Sequence, residues 1–145
     1  MLVDHLAPAT RRRYRTIDGR HSVQHAARAF ADPEIGLLVV CGGDGQLQGV
    51  VSKSDLVGHL ARAGAASTAI ERVMTRAVAT IAGEADLAAT WALMAARRLQ
   101  NLPVLAADRR PVGTLDARDA LQALLEAEQQ QEEQLVRYID GVGYR

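Results

Sequence analysis

The strongest constraint on this chain is a repeat. Residues 49–55, GVVSKSD, return at 113–119 as GTLDARD, an offset of 64. At the same offset Thr16-Ile17 falls on Thr80-Ile81, Gly19 on Gly83, Leu38 on Leu102, Val40 on Val104, Asp44 on Asp108 and Leu60 on Leu124. No gap is needed between residues 16 and 61. Glycines, aspartates and apolar runs keep one joint register, which is the signature of a duplicated supersecondary unit. A single unit of about 60 residues buries too little surface to stand alone, so the copies are expected to share their burial. The chain divides into residues 1–64, residues 65–125, and a C-terminal extension over 126–145.

The second copy reads clearly. Ala77 to Ile81 is an apolar run suited to a strand. Gly83 to Asp86 interrupts it, with Asp86 placed to cap a helix. Leu87, Trp91, Met94 and Ala95 recur at helical spacing, so a helix over 86–99 buries one face. Asn101 closes that helix and Pro103 bars its continuation. Val104-Leu105 begins a strand, Asp108 to Pro111 turns, Val112 to Leu115 returns, and a helix runs from Ala117 to about Leu125. The first copy repeats the order. Thr16-Ile17 is its first strand, Ser22 caps a helix carrying Val23, Ala26, Ala27 and Phe30, and Leu37 to Val40 is the next strand. Gly42 to Gly45 is a hairpin turn, Leu47 to Val51 returns, and Asp55 to Arg62 is helical. Thr68 to Met74 reads as a short linking helix. The expected fold is α/β (α+β): two β-α-β-β-α motifs packed about a pseudo-twofold axis, with two clefts where they meet.

Composition narrows the class. Apolar residues make up 48% of the 145, and only 3% are aromatic, so the core is aliphatic. Formal net charge is zero, which gives no global field toward nucleic acid or a membrane surface. Arg11-Arg12-Arg13 and Arg15 form a local basic run, read here as a solvated segment. Cys41 is the only cysteine, so no intrachain disulfide forms. The first residues lack the order of charges of a secretory signal, and no stretch of 18 apolar residues occurs. A reducing cytoplasm is the expected setting.

The segments Val73-Met74-Thr75, Thr80-Ile81, Leu99-x-x-Leu102-Pro103-Val104 and Gly113 to Asp119 resemble the CBS domain, named after cystathionine β-synthase. The first half resembles a more divergent copy, and together they resemble a tandem CBS pair, or Bateman module, over residues 3–125. The resemblance implies a module that binds adenosine compounds in clefts between its motifs. It assigns Asp55 and Asp119 to ribose hydroxyls, and Ser52 to phosphate. It assigns Thr16, Ile17, Val39, Val40, Thr80, Ile81, Pro103 and Val104 to the walls of the adenine sites. It leaves open which half walls which aspartate.

The residue chemistry agrees. A carboxylate accepts hydrogen bonds from both vicinal hydroxyls of a ribose. Ser52 begins a helix, where N–H groups and the helix dipole favour an anion, and neighbouring Lys53 adds positive charge. A plainer role competes: Ser52-x-x-Asp55 is also a capping box, and Asp116-x-x-Asp119 can cap in the same way. The two copies differ where Ser52 meets Asp116. A carboxylate there repels phosphate by ~4 kcal/mol per charge pair at about 4 Å and an effective dielectric near 20. The sites are therefore expected to be unequal. The Ser52/Asp55 site takes a phosphorylated adenosine. The Asp116/Asp119 site is empty, metal-bridged, or holds an uncharged or cationic adenosine derivative.

Other features read as structural. His21 and His25 are exposed, His59 pairs with Asp55 four residues before it, and Trp91 and Met94 are core. GGDG lacks the end of a phosphate-binding P-loop. EAEQQQEEQ is a solvated helical extension, Leu135, Val136 and Ile139 suit a partner subunit, and GVGYR is a loose tail. No nucleophile–base pair or metal cluster stands out, so the chain reads as no enzyme and requires no cofactor. The expected function is a regulatory module that binds AMP, ADP or ATP, with NAD or S-adenosylmethionine as further options. It would form a homodimer and act in trans on an effector protein. A ligand-free dimerisation scaffold is the alternative.

Overall fold

The computed structural model describes residues 1–143. The first copy contains β1 (Thr16–Asp18), α2 (Val23–Phe30), β2 (Leu37–Cys41), β3 (Leu47–Ser52) and α3 (Lys53–Ala61), preceded by α1 (Ala7–Arg12). The second contains β4 (Ile81–Ala82), α4 (Leu87–Arg97), β5 (Asn101–Leu105), β6 (Pro111–Asp116) and α5 (Ala117–Gly143). The expected β-α-β-β-α order thus occurs twice. Each copy is a three-stranded sheet, β1-β2-β3 or β4-β5-β6, with its first pair parallel and its second antiparallel. The antiparallel register slips between Val40 and Cys41, and again between Val104 and Leu105. An irregularity recurring at the repeat offset shows that the duplication extends to backbone detail.

Each copy has its own aliphatic core. Ile17, Val23, Ala26, Phe30, Ile35, Leu38, Val40, Val51, Leu56 and Ile70 form one, and Val3, Leu6, Leu87, Met94, Leu102, Val104, Leu115 and Ala120 form the other. Three members are out of sequence order. Ile70 lies in the leading segment of the second copy yet is buried in the first core, while Val3 and Leu6 lie in that of the first copy yet are buried in the second. The backbone makes the same exchange. The Val3 N–H donates to the Ala85 carbonyl (3.0 Å), and the Ile70 N–H donates to the His21 carbonyl (2.8 Å). Each copy therefore lends its leading segment to the other. This exchange explains the glycines that open the repeated motif. A Cβ on Gly49 would lie 2.7 Å from the Thr75 carbonyl oxygen, and one on Gly113 would lie 2.9 Å from Thr10 Oγ1. Only a bare backbone lets the lent segment approach so closely.

Local signals place the helices. Ser22 Oγ accepts from the His25 N–H (3.1 Å), and an Asp86 carboxylate oxygen accepts from the Ala89 N–H (2.9 Å), both as expected. Other expectations need correction. Helix α4 does not reach Asn101: Arg98 adopts the left-handed conformation (φ 56°), the Leu99 N–H turns back to the Met94 carbonyl, and Asn101 already begins β5. The linking helix is one 3-10 turn, Ile70–Arg72. Helix α5 runs unbroken through the extension and through Gly141 to Gly143, where a loose tail was expected; Tyr144 and Arg145 lie outside the described residues. No helix among the described residues is long and apolar enough to cross a membrane.

Strand β4 is the most informative correction. The sequence suggests a strand from Ala77, but only Ile81 and Ala82 pair. In the first copy the Val39 N–H donates to the Arg15 carbonyl (3.0 Å) and holds the start of β1 on the sheet. The residue at the matching position of the second copy is Pro103, which has no N–H. The Ala79 carbonyl is left without that tether and Thr80 drops out of the strand, while Ala77 to Ala79 border a cleft and, like Arg13 to Arg15 in the first copy, lie outside any strand.

Candidate functional site

The first cleft has a volume of about 220 Å³ and lies between the copies. Leu37, Val50, Ser52 and Asp55 line it from the first copy. From the second copy come Thr75, Ala77-Val78-Ala79, Leu99, Asn101, Leu102 and Pro103. The walls are small and apolar, with few polar groups, as small-molecule sites commonly are.

Ser52 and Asp55 sit where β3 passes into α3. The Ser52 N–H donates to Asp55 Oδ2 (2.9 Å), and the Asp55 N–H donates to Ser52 Oγ (3.2 Å). This is the full capping box, and it coexists with a place on the cleft wall. The cap accounts for one Asp55 oxygen and leaves Oδ1 without a partner in it. Asn101, on the opposite wall, has its Oδ1 buried with no hydrogen-bond partner among the described residues. An orphaned buried acceptor costs on the order of 1–3 kcal/mol unless something donates to it.

The second cleft follows the same plan with different residues. Asp116 and Asp119 take the places of Ser52 and Asp55, and Arg13-Tyr14-Arg15 take those of Ala77-Val78-Ala79. Arg13 was expected in solvent, but its side chain is only 11% exposed. Its Nε and one terminal nitrogen grip the two Asp119 oxygens in a fork. Its other terminal nitrogen donates to the Glu34 carbonyl (3.2 Å) and lies 3.6 Å from Asp116 Oδ2. Asp116, 2% exposed, also accepts from Arg118 Nε (3.1 Å), its terminal nitrogen (2.9 Å) and its backbone N–H (2.8 Å). Burial pushes the Asp116 carboxyl up, but the Arg118 hydrogen bonds and the Arg13 charge outweigh it and hold the group below its ordinary value. Its bond to Asp119 raises Arg13 further above its already high value. The pair does not form the reciprocal capping box read from its spacing, because Asp119 spends its oxygens on Arg13.

The neighbours of Arg13 are also engaged. Arg12 donates to Glu34 (3.1 Å) and Arg15 to Asp32 (3.2 Å). The Tyr14 hydroxyl donates to the Pro111 carbonyl (3.1 Å), and burial, with Cys41 alongside, pushes its pKa up to about 12.

Of the residues assigned to the adenine walls, Pro103 alone lines the first cleft. Val39, Val40, Val104 and Ile17 are buried at 5% exposure or less, and Ile81 packs against the second core. Thr16 and Ile17 border a separate hollow beside α2, and Thr80 borders one beside Leu47 and Arg109. Lys53 is exposed and does not line the cleft. The wall facing Asp55 is instead the backbone-rich segment Ala77 to Ala79. The sequence hides it because the apolar run suits a strand, although the matching Arg13 to Arg15 of the first copy also lie outside β1. Arg13 was missed too, although the offset of 64 sets it against Ala77 just as it sets Asp116 against Ser52. His59 Nε2 lies 2.8 Å from the Ala65 carbonyl oxygen rather than on Asp55, and the His21 and His25 rings stack with centroids 4.2 Å apart.

A family model described as the CBS domain matches the chain twice, over residues 6–62 and 70–126. Among solved structures, the chain resembles a CBS-domain-containing protein from Agrobacterium tumefaciens at 25% identity. The match covers 85% of this chain and 98% of that one, with a TM-score of 0.75. The CBS domain pair of protein MJ0100, in complex with 5′-methylthioadenosine and S-adenosyl-L-methionine, aligns at 23% identity over 88% of this chain and 98% of that one, with a TM-score of 0.74. CBSX2 in complex with AMP aligns at 20% identity over 85% and 97%, with a TM-score of 0.71. At these last two identities the likeness is one of fold. No curated protein matches the chain in sequence.

Proposed function

The chain belongs to the CBS-domain family, and from that premise we propose that it is a regulatory module whose first cleft binds an adenine nucleotide. One observation carries the reading: Ser52 and Asp55 of one copy face Ala77 to Ala79 and Pro103 of the other across a cavity. Asp55 takes the ribose hydroxyls in a charge-assisted pair of hydrogen bonds. Ser52, at the start of the nine-residue helix α3, takes the phosphate with the help of the helix dipole. The base lies against Ala77 to Ala79 and Pro103, and the Asn101 side chain, whose Oδ1 is buried off the cleft surface, turns to accept from an exocyclic amine. The solved relatives named with AMP, or with 5′-methylthioadenosine and S-adenosylmethionine, support an adenosine compound as the ligand class.

The proposed mechanism is a shift of population. A ligand touching both copies favours the relative orientation that closes the cleft, by as much as it binds that orientation better. We place the module in the cytoplasm as a non-catalytic homodimer reporting to an effector protein in trans. Leu135, Val136 and Ile139, exposed on α5, are the surface proposed for contact with a partner subunit.

Calorimetric titration with AMP tests the assignment. Asp55→Asn keeps an acceptor for the Ser52 N–H, and so keeps the cap, while removing the charge that grips ribose. A charge-assisted bond is worth ~1.5–3 kcal/mol, so affinity should fall about 10- to 100-fold with stability little changed. Equal affinity in the variant and the wild type would refute the role of Asp55. Binding of no adenosine compound at all would leave the scaffold reading.

A further inference from the structure

The second cleft has the plan of a ligand site and contains part of the chain itself. We infer that Arg13 is a built-in occupant of the Asp116/Asp119 cleft, so that each chain offers one adenosine site rather than two and the two copies are latched together at that end without ligand. The guanidinium forks onto both oxygens of Asp119, the counterpart of the carboxylate facing the open cleft. It also donates to the Glu34 carbonyl, so a single side chain joins the first copy to the second. The copies differ where the charges meet: Asp116 stands where the first copy has Ser52, and Arg13 stands where the second has Ala77. Arg13 is neutralised by Asp119, whose counterpart Asp55 faces no such cation, while Asp116 is held chiefly by Arg118 and lies 3.6 Å from Arg13. Asp55 keeps its place on a cavity wall because a small residue, Ala77, stands opposite.

The identity of the ligand in the open cleft rests on the proposed function; the place of Arg13 does not. The test is the stoichiometry of AMP, read by calorimetry on the full chain. Wild type should bind one AMP per chain, and Asp55→Asn should weaken that site. The double variant Arg13→Ala/Asp116→Ser removes the plug and restores serine at the phosphate position. It should gain a second AMP, and the further change Asp119→Asn should weaken that second site. Two AMP per wild-type chain would overturn the inference, as would a double variant that keeps its first site and gains no second. If wild type binds no AMP, or the double variant fails to fold, thermal unfolding decides. Arg13→Ala and Asp119→Ala should each lower the midpoint, and the pair together should lower it no further than the worse single change. Additive shifts would show that Arg13 and Asp119 do not act as a unit.

Discussion

The two clefts arise from one duplicated plan and differ in a few side chains. In the first, Ser52 and Asp55 cap their own helix and face alanines across a cavity. In the second, Asp116 and Asp119 are committed to Arg13 and Arg118. The comparison separates two uses of a helix-start carboxylate. One is satisfied locally by backbone N–H groups and keeps lone pairs for a visitor. The other gives its lone pairs to a guanidinium from the far copy and becomes part of what holds the halves together. A chain can thus keep a ligand-site backbone while converting the site into an internal contact, provided that the compensating charge arrives with it.

The largest expected effect breaks that internal contact. Arg13→Ala leaves Asp119 without its fork and Asp116 with Arg118 alone. Removing one partner of a buried pair costs about 3–5 kcal/mol, and both carboxylates here are well under a third exposed. Urea denaturation should show that loss, whereas Ala77→Gly across the open cleft should cost far less. A difference under about 1 kcal/mol between the two variants would mean that Arg13 is dispensable to the fold. The same contact sets an acid dependence. Asp116 is held below its ordinary value when folded, so its contribution is present above the unfolded carboxylate range and is lost as pH falls through the folded value. Asp116→Asn should flatten the acid limb of the stability curve. An unchanged acid limb would place the titrating groups elsewhere.

The next effect turns the open cleft toward the closed one. Asn101 lines the first cleft, and Leu37 is its counterpart at the repeat offset. Asn101→Leu removes the orphaned acceptor. If a ligand amine donates to Asn101 Oδ1, AMP affinity should fall by about tenfold, the equivalent of one hydrogen bond of ~1–1.5 kcal/mol. Because an unpartnered buried group is also removed, stability without ligand should hold or rise. Weaker AMP binding with a higher melting midpoint is a pairing that simple damage does not give. Unchanged AMP affinity would remove Asn101 from the binding wall.

Much of this was legible in the sequence, for physical reasons. Glycines that permit close approach and aspartates that begin helices recur at a fixed offset, because the backbone needs them at the same place in each copy. Strand order and caps follow from such local signals. The exchange of leading segments was not legible, since Val3, Leu6 and Ile70 are ordinary apolar residues whose destination depends on the other copy. The cleft wall was obscured because Ala77 to Ala79 is an apolar run that suits a strand, and only its meeting with the other copy makes it a wall. Arg13 looked like one member of a solvated run, and only its alignment with Ala77 sets it apart. Local signals gave the order of elements though not every boundary, and the side chains that meet across the copies were the part the sequence hid.

The smallest effect concerns the residue beside the latch. Tyr14 stands where the open cleft has Val78, with its hydroxyl on the Pro111 carbonyl. Tyr14→Phe keeps the ring and removes one hydrogen bond, for a loss of about 1 kcal/mol at neutral pH. Burial raises the folded pKa of Tyr14 to about 12, above its ordinary value near 10. The stabilisation is therefore complete below about pH 10 and falls away as pH rises toward 12, because the unfolded chain releases the phenolic proton first. Wild type should lose stability across that window more steeply than Tyr14→Phe, so their denaturation midpoints should converge. Ultraviolet titration of the folded protein should lack one tyrosine's ionisation between pH 10 and 11. Parallel alkaline limbs in the two proteins would show that Tyr14 ionises as freely as a solvated tyrosine, and that this side of the latch is open to water.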